Sequence, residues 1–238
     1  MADRKSFLGN KYWVLRHGRS IPNVLELIVS SMENGILEEY GLAPRGVEQA
    51  LSAGDSFREE LKRNSIELER VRICYSPFSR TRQTAQHVAS RLGIPFFEEG
   101  PPAPQCMVIN DLRERFFGRT FELRSHDKYQ EIWALDEEDP FMRPDLHGES
   151  VADVVSRLTN AITTIESSFQ GCAVLIVSHG DPLQILQTVL GAALQGENTA
   201  TDDCNQNLAS RIAAVTVSSV LSQHRKFFLG TGELRALP

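Results

Sequence analysis

Two histidines of this sequence stand where a short apolar run ends, and each is followed by a glycine. His17 comes after Arg16 and the apolar run 12–15, and His179 ends the stretch that begins with the apolar run 173–177. A histidine at a strand end can donate one ring N–H to a backbone carbonyl and keep the other lone pair for nucleophilic attack. The following glycine permits close approach to the backbone. A lone histidine is as often a solvent-facing residue as a catalytic one. The position of His17 at a strand end, between an arginine and a glycine, is what favours a catalytic role.

A third polar cluster, Ser76–Ala85, follows another apolar run and places Arg80 near the start of a predicted helix. Helix N-termini favour anions, so Arg80 there is either a solvated surface residue or part of an anion site. Two histidines and two arginines around one cavity would suit a phosphoryl group, whose charge spreads over its equatorial oxygens during transfer. A carboxyl group is then needed to protonate the leaving oxygen.

The elements that must position these side chains alternate between strands and helices. Strands are predicted at 12–15, 71–75, 107–112 and 173–177, with more in the tail 208–238, and helices at 46–63, 79–92, 125–138 and 151–169. Ser79 and Ser150 are the expected N-caps of two helices. The alternation predicts an α/β fold, a three-layer α/β/α sandwich with a mostly parallel central sheet. Ligands of such sheets bind beyond the carboxyl ends of the strands, where the polar clusters are.

The chain has 238 residues and a net charge of −6, which suits one domain, 1–238, with a lid-like segment at about 100–146. No block of Lys and Arg occurs, so neither nucleic acid nor a membrane is an expected partner. No apolar run is long enough to span a bilayer, and the polar N-terminus does not resemble a signal peptide. Four scattered cysteines without a C-x-x-C pair favour a cytoplasmic location, with Cys74 and Cys172 as packed thiols.

Six segments, spread from about residue 12 to 183, resemble in order the motifs of the histidine phosphatase (phosphoglycerate-mutase-like) superfamily. They are Arg16–Asn23 (R-H-G-x-S-x-x-N), Leu42–Ala50 (L-T-x-x-G-x-x-Q-A), Tyr75–Ala85 (S-x-L-x-R-A-x-Q-T-A), Leu112–Gly118 (L-x-E-x-x-x-G), Gly148–Ser150 (G-E-S) and Val177–Gly180 (the second histidine motif). The sequence as a whole also looks similar to phosphoglycerate-mutase-like proteins of plants.

The resemblance implies a role for each matched position. His17 would accept the phosphoryl group and become phosphohistidine. The phosphate pocket would be formed by Arg16, Asn23, Arg80, His179 and Gly180. Glu114 would protonate the leaving group and then activate water, although nothing in its spacing distinguishes it from the other acidic residues. Asp181 is a weaker donor candidate, because it does not directly follow the second histidine, and helix capping is its preferred role.

The chemistry that the resemblance implies needs no metal and no other cofactor, since protein cations neutralise the phosphoryl group. The six histidines show no metal-ligand spacing such as H-x-H or H-E-x-x-H. The expected partner is a phosphorylated small molecule.

Hydrolysis of phosphomonoesters is favoured over phosphoglycerate mutase activity. Mutases of this superfamily hold the substrate carboxylate with a long insertion after the donor glutamate, which carries a basic pair. Only 34 positions separate Glu114 from Gly148, and the acidic run 136–139 would repel an acidic substrate if it faced the cleft. Residues 24–41 also lack the mutase pattern G-W-x-D-x-x-L. A low-activity sensor of phosphorylated ligands is the third alternative, because Thr120–Glu122 replaces a frequent Trp-Glu-Gly.

Overall fold

A single five-stranded sheet forms the centre of the computed structural model, which describes residues 7–97, 103–196 and 207–237. The strands are β1 (Lys11–Arg16), β2 (Val71–Tyr75), β3 (Cys106–Val108), β4 (Ala173–Ser178) and β5 (Leu234–Ala236). Their order in the sheet is β3-β2-β4-β1-β5. The first four strands are parallel, and β5 runs antiparallel beside β1.

Helices connect the strands and cover the sheet. They are α1 (Ile21–Leu25), α2 (Met32–Gly35), α3 (Pro44–Arg63), α4 (Ser79–Leu92), α5 (Tyr129–Glu138), α6 (Val151–Ser168), α7 (Gly180–Gly196), α8 (Leu208–Val215) and α9 (Ser218–Leu221). Short 3-10 turns occur at Glu38–Tyr40, Leu68–Arg70, Asn110–Leu112, His126–Lys128 and His224–Phe227.

Both faces of the sheet are buried, which explains why its strands read as continuous apolar runs. On one face, Tyr12 and Val14 pack with the apolar stripes of α6 and α7. On the other face, Trp13 and Leu15 pack with α3 and α4. The predicted α/β/α sandwich with a mostly parallel sheet is therefore confirmed. A smaller apolar cluster joins Ile28 to Phe117, Phe121 and Ile132 of the segment between β3 and α6.

The two expected N-caps have different outcomes. Ser150 caps α6 as predicted, and its hydroxyl oxygen accepts the Asp153 amide at 3.0 Å. Ser79 is already the first residue of α4, so the prediction that it caps this helix is wrong. Its hydroxyl donates instead to the Leu37 carbonyl oxygen at 2.8 Å, which anchors α4 to the preceding loop.

The expectation of several strands in the tail is wrong. Residues 208–237 form two helices and a 3-10 turn before the single strand β5. β-branched residues such as Ile212 and Val215 favour a strand locally. Asn207 caps α8 by accepting the Ser210 amide at 2.9 Å, and Ile212 is buried in the core beside α6 and α7. The predicted strand 107–112 is likewise shorter, because the 3-10 turn Asn110–Leu112 follows β3.

Cys74 and Cys172 are buried thiols, as predicted. Cys204 lies outside the described residues, as do residues 100–102 of the predicted lid-like segment. Within the described ranges, no helix combines the length and hydropathy that crossing a membrane requires.

Candidate active site

The carboxyl ends of three neighbouring strands bring the predicted site residues together. β2, β4 and β1 lie side by side, and their register pairs Arg16 with Ser178 and Tyr75 with Val177. The His17 amide donates to the Ser178 carbonyl oxygen at 3.0 Å. A cavity of about 260 Å³ lies beyond these strand ends. The predicted site residues that line it are Arg16, His17, Asn23, Arg80, Glu114 and Gly180.

His17 is buried and held in one orientation. Its Nδ1 lies 2.7 Å from the Gly18 carbonyl oxygen, so Nδ1 carries the ring proton and Nε2 keeps a lone pair. Arg80 Nε donates to that lone pair at 3.2 Å. Burial, followed by the charges of Arg80 and Arg16, holds the pKa of His17 well below its ordinary value. The imidazole is therefore neutral at pH 7, as a nucleophile requires.

Gly18 is explained by the packing of two backbone segments. A β-carbon at Gly18 would lie 2.2 Å from the Gly46 carbonyl oxygen, and one at Gly46 would lie 2.1 Å from the Arg19 carbonyl oxygen. The loop after β1 thus crosses the start of α3 with no room for a side chain. Because Gly18 has no side chain, the Gly46 backbone can pack directly against it, and this contact fixes the loop that carries His17.

The two arginines offer unpaired N–H groups. Arg16 Nη1 donates to the Leu229 carbonyl oxygen at 2.7 Å, and Arg80 Nη2 donates to the Val29 carbonyl oxygen at 3.0 Å. Arg16 Nε and Arg80 Nη1 are buried without a hydrogen-bond partner among the described residues. Burial lowers the pKa of both guanidinium groups. The two buried cations share the Glu114 carboxyl group as a nearby counter-charge, so they are incompletely neutralised and an anion in the cavity would relieve both.

His179 is fully buried beside His17, with ring centroids 5.2 Å apart, and is not among the residues that line the cavity. Its Nε2 is 2.8 Å from Ser76 Oγ, which also accepts the Phe78 amide at 3.3 Å. The Ser76 hydroxyl can therefore donate to Nε2, and the ring proton of His179 then resides on Nδ1. Nδ1 has no hydrogen-bond partner in the described part of the chain. Burial, then Arg80, holds the pKa of His179 well below its ordinary value.

Glu114 completes this group of charged and titratable residues. Its Oε2 lies 3.9 Å from Arg80 Nη2 and 3.8 Å from His179 Nδ1, and its Oε1 accepts the Arg115 amide at 3.0 Å. Burial raises the pKa of Glu114 to about 7, with Arg80 opposing the rise and Asp181 adding to it. A carboxyl group with this pKa can both give and take a proton near neutral pH.

The loop that carries Glu114 is fixed on both sides. Ser178 Oγ donates to the Leu112 carbonyl oxygen at 2.7 Å, and the Phe116 amide donates to Glu149 Oε2 at 2.9 Å. Ser178 is the last residue of β4, and Glu149 precedes α6. The carboxyl group of Glu114 is thus positioned by the sheet end and by the start of a core helix.

Asn23 and Gly180 line the cavity through the starts of two helices. Asn23 Oδ1 accepts the Ser20 amide at 3.1 Å in the capping box of α1, which leaves its NH2 group for other partners. Gly180 is the first residue of α7, where backbone N–H groups lack intrahelical acceptors. We call the residues that converge here the open cluster. It comprises Arg16, His17, Arg80, Glu114 and His179.

Asp181 belongs to a second buried group, which we call the closed cluster. It comprises Arg115, Asp136, Asp181 and His224. Arg115 binds Asp136 with both terminal nitrogens, at 2.7 and 2.8 Å, and its Nη1 lies 3.1 Å from Asp181 Oδ2. Asp181 lies inside the first turn of α7 and is engaged by Arg115, so the preference for a helix cap is corrected.

His224 supplies the second cation of the closed cluster. Its Nδ1 is 2.9 Å from the Leu221 carbonyl oxygen, and its Nε2 is 3.4 Å from Asp181 Oδ1. Both ring nitrogens therefore face oxygen acceptors, which favours the imidazolium form. Burial alone would lower the pKa of His224, but Asp181, the Leu221 carbonyl oxygen and Asp136 together outweigh burial and raise it. Likewise, burial would raise the pKa of Asp181, but His224 and Arg115 outweigh burial and lower it.

Asp136, Asp181 and His224 also place three possible metal-ligand atoms within 4.8 Å of one another. The Arg115 guanidinium lies against both carboxylates, and with His224 it matches their charge. The closed cluster is therefore neutral as it stands, and its electrostatics require no metal ion.

Several cavity residues were missed by the sequence analysis. Tyr129 and Trp133 come from one face of α5, and Arg225 and Phe228 come from the tail. The spacing of the two aromatic residues on a predicted helix could have suggested a shared face. No local pattern marks Arg225 or Phe228, because the tail reaches the cavity only through the tertiary fold.

The acidic run 136–139 does not face the cavity. Asp136 is buried against Arg115, and Glu137 and Glu138 are exposed to solvent. The run 136–139 thus contributes no side chain to the cavity lining, whose acidic members among the described residues are Glu114 and Asp181. The acidic run therefore does not disfavour a mutase, whereas the short segment between Glu114 and Gly148 still does.

Glu122, part of the departure from the frequent Trp-Glu-Gly, has a local structural role. Its carboxylate accepts the amides of Ser30 and Ser31 at 3.0 and 3.1 Å and the Asn34 side-chain amide at 2.8 Å. It therefore holds the segment before α2 and does not line the cavity.

The fold is similar to those of solved phosphatases. A mycobacterial glucosyl-3-phosphoglycerate phosphatase complexed with VO3 matches with a TM-score of 0.61 and 19% identity, over 94% of this chain and 88% of that chain. A phosphoserine phosphatase mutant from Entamoeba histolytica, in complex with phosphoserine, matches with a TM-score of 0.59 and 19% identity, over 94% of this chain and 88% of that one. At these identities the similarity establishes the shared fold alone.

Sequence similarity extends to a probable phosphoglycerate mutase, GpmB, of Erwinia tasmaniensis. The two sequences are 27% identical over 194 residues, which is 78% of this chain and 77% of the relative. The sequence profile of the histidine phosphatase superfamily (branch 1) matches residues 12–213, well over half of the chain. The protein is a member of the histidine phosphatase superfamily, branch 1.

Proposed function

We propose that the protein hydrolyses phosphomonoesters through a phosphohistidine intermediate on His17, without a metal ion. The observation that carries this proposal is the open cluster. A neutral, buried histidine is accompanied by three buried nitrogen atoms that lack partners among the described residues: Arg16 Nε, Arg80 Nη1 and His179 Nδ1. Such donors suit the oxygens of a phosphoryl group. Membership of the superfamily supports the same chemistry.

In the first step, His17 Nε2 attacks phosphorus as the bond from phosphorus to the ester oxygen breaks. The phosphoryl oxygens take up the unpaired donors of Arg16, Arg80 and His179, and Asn23 adds its free NH2 group. The phosphoryl group displaces Arg80 Nε from the lone pair of His17, which it meets in the free protein at 3.2 Å. The Gly18 carbonyl oxygen stabilises the positive charge that develops on the ring through Nδ1–H.

The proton for the leaving oxygen comes from Glu114. With a pKa of about 7, this carboxyl group is substantially protonated at neutral pH. In the second step the resulting carboxylate accepts a proton from water, and the water oxygen attacks phosphorus and breaks the P–N bond. Inorganic phosphate leaves, and His17 and Glu114 return to their starting states.

Phosphoglycerate mutase activity is the second candidate, favoured by the similarity to a probable phosphoglycerate mutase. A mutase shares the first step but returns the phosphoryl group to a bound phosphorylated acid. Arg225 in the cavity wall could bind a substrate carboxylate. The short segment between Glu114 and Gly148 favours the phosphatase, because little chain is available to shield a phosphoenzyme from water.

The test measures phosphate release from a panel of phosphomonoesters, including 3-phosphoglycerate, in the presence of a chelator. A coupled mutase assay runs alongside, with and without bisphosphoglycerate as primer. We expect phosphate release that needs no metal and no primer. His17→Ala should lower kcat/KM by about 10⁴-fold or more, because the nucleophile is removed.

The matched control is His147→Ala, since His147 is exposed and does not line the cavity. It should retain the activity of the unaltered protein. Primer-dependent isomerisation without phosphate release would replace the phosphatase proposal with the mutase. Phosphate binding without turnover in either assay would instead favour a sensor.

A further inference from the structure

The outer half of the cavity has a different chemistry from the open cluster. Tyr129 and Trp133 stack nearly in parallel, with ring centroids 5.5 Å apart and an interplanar angle of 6°. The guanidinium carbon of Arg225 lies 3.4 Å from the centroid of the Trp133 ring. Phe228 is more than half exposed and also lines this part of the cavity. Flat and mostly apolar groups therefore form one wall, with Arg225 stacked on Trp133 and with the Arg16 guanidinium carbon 6.0 Å from the centroid of the Phe228 ring.

Arg225 is held without the use of its hydrogen-bond donors. Its side chain makes no hydrogen bond and no ion pair with any residue of the described ranges. The contact that orients the guanidinium group is its stack on Trp133. Cation–π stacking fixes the plane of a guanidinium group while its N–H edges stay available for a bidentate acceptor. A fixed guanidinium with free edges is suited to a carboxylate or a similar planar anion.

The charge of Arg225 is also not cancelled by the acidic residues nearest to it. Asp181, Asp136 and Glu137 act on Arg225 electrostatically. Asp136 and Asp181 are already paired with Arg115 and His224 in the closed cluster, and Glu137 is exposed to solvent, which screens its charge. Burial lowers the pKa of Arg225, which a bound anion would reverse. A ligand anion would meet an uncompensated positive charge at this wall.

We propose that this wall is a specificity subsite for the leaving group of the substrate. It would take a phosphomonoester whose leaving group has a flat, apolar body and carries a second anionic group, such as a carboxylate. The body would pack against Trp133 and Phe228, and the anion would bind Arg225, while the phosphoryl group occupies the open cluster. A cavity of about 260 Å³ limits the body to about one ring.

This inference rests on the proposed function for the site that it extends, so its test needs a readout that does not depend on turnover. Binding is measured by calorimetry with two non-hydrolysable phosphonates, benzylphosphonate and 4-carboxybenzylphosphonate, and with the 3-carboxy isomer. The proteins are the unaltered chain, Arg225→Gln, and the control Lys226→Gln. Lys226 is the exposed neighbour of Arg225, so the control removes the same charge outside the cavity.

The unaltered protein should bind at least one carboxylated phosphonate about tenfold more tightly than benzylphosphonate, as expected for one charge-assisted contact. Arg225→Gln should abolish this preference and leave the Kd of benzylphosphonate within about twofold, whereas Lys226→Gln should retain the preference. Equal binding of the three phosphonates by the unaltered protein would overturn the inference. So would an equal loss of all three in Arg225→Gln.

Turnover separates the two proposals. If no phosphomonoester of the panel is hydrolysed, phenyl phosphate and its carboxylated analogues included, but the phosphonate preference and its loss in Arg225→Gln are observed, the phosphatase proposal fails and the subsite stands. If phenyl phosphate is hydrolysed in a His17-dependent manner and no preference exists, the subsite fails and the phosphatase proposal stands.

Discussion

The open and closed clusters are both buried, and both contain arginine and histidine. They are also adjacent in the sequence at one point. Glu114 belongs to the open cluster and Arg115 to the closed one, yet their surroundings differ. Every charge of the closed cluster faces an opposite charge, with two cations beside two carboxylates. In the open cluster two arginines face a single carboxyl group, and three nitrogen atoms have no hydrogen-bond partner within the described residues. His224 Nε2 of the closed cluster also lacks a hydrogen bond, but it lies 3.4 Å from Asp181 Oδ1 as an ion pair.

This difference separates a structural from a ligand-binding use of buried charge. In the closed cluster the charges are neutralised within the fold, so their removal should affect the free energy of unfolding. In the open cluster the missing negative charge is left for a ligand, so removal should affect binding and turnover. The same residue type, arginine, is therefore expected to respond in opposite ways at positions 80 and 115.

Among the substitutions that compare the two clusters, Arg80→Met is expected to have the largest effect on activity. In the proposed mechanism Arg80 stabilises the transferred phosphoryl group, so its loss should lower kcat/KM by about 10³-fold. The free energy of unfolding should change by less than about 1 kcal/mol, because an unneutralised buried cation is removed along with its bond to the Val29 carbonyl. Steady-state kinetics and urea unfolding check the two parts. Arg91→Met is the control, since Arg91 is an exposed residue of the same helix paired with Asp55.

Arg115→Met should have its main effect on stability. It leaves Asp136 and Asp181 buried with only His224 as a counter-charge, and the free energy of unfolding at pH 7 should fall by about 3 kcal/mol. The addition of Asp136→Asn and Asp181→Asn should restore part of this loss, because the unpaired charges are then absent. Urea unfolding of the three proteins measures both changes. A triple variant less stable than Arg115→Met would contradict the charge-pairing explanation.

Glu114→Gln should have a smaller effect on activity and a distinctive pH dependence. At pH 6 the variant should lose about 10²-fold in kcat/KM, since no proton can be donated to the leaving group. In the unaltered protein kcat/KM should fall as the pH rises above about 7, where Glu114 loses its proton, and the variant should lack this fall. A pH profile of both proteins with a substrate of good water solubility is the measurement.

The same substitution has an expected effect on stability, whose sign follows from the raised pKa. The folded state holds the Glu114 proton up to about pH 7, while the unfolded chain releases it near its ordinary value of 4.5. Stability therefore decreases as the pH rises through this range. Glu114→Gln should be more stable than the unaltered protein at pH 8, by on the order of 2 kcal/mol, and equally stable at pH 4. A difference in the free energy of unfolding that does not change with pH would contradict a raised pKa of Glu114 in the folded state.

The sequence predicted the architecture and the meeting of the three strand ends, because buried parallel strands have a strong apolar signature. His17, Arg80 and His179 follow from that architecture. Glu114 came only from the family resemblance, since its loop has no regular pattern. The closed cluster was not predicted, because nothing local indicates that Arg115 lies against Asp136. For the same reason, the sequence does not show that the acidic run 136–139 lies away from the cavity.

The outer wall was missed because it joins segments that are far apart in the chain. Trp133 and Arg225 belong to α5 and the tail, and only the packing of both onto the core brings them together. Long-range contacts of this kind leave no periodic signal in the sequence.

The pairing of β5 with β1 has a consequence for the order in which the molecule assembles. Leu234–Ala236 hydrogen-bonds to the strand that begins at Lys11, so nearly the whole described chain forms the loop between them. Such a contact carries a large loop-closure entropy and forms late in folding. His224, Arg225 and Phe228 lie just before β5. The strands that position His17, Arg80 and His179 all precede the tail in the chain, so Arg225 and Phe228 are the last part of the cavity to be synthesised, and we expect them to be the last to dock.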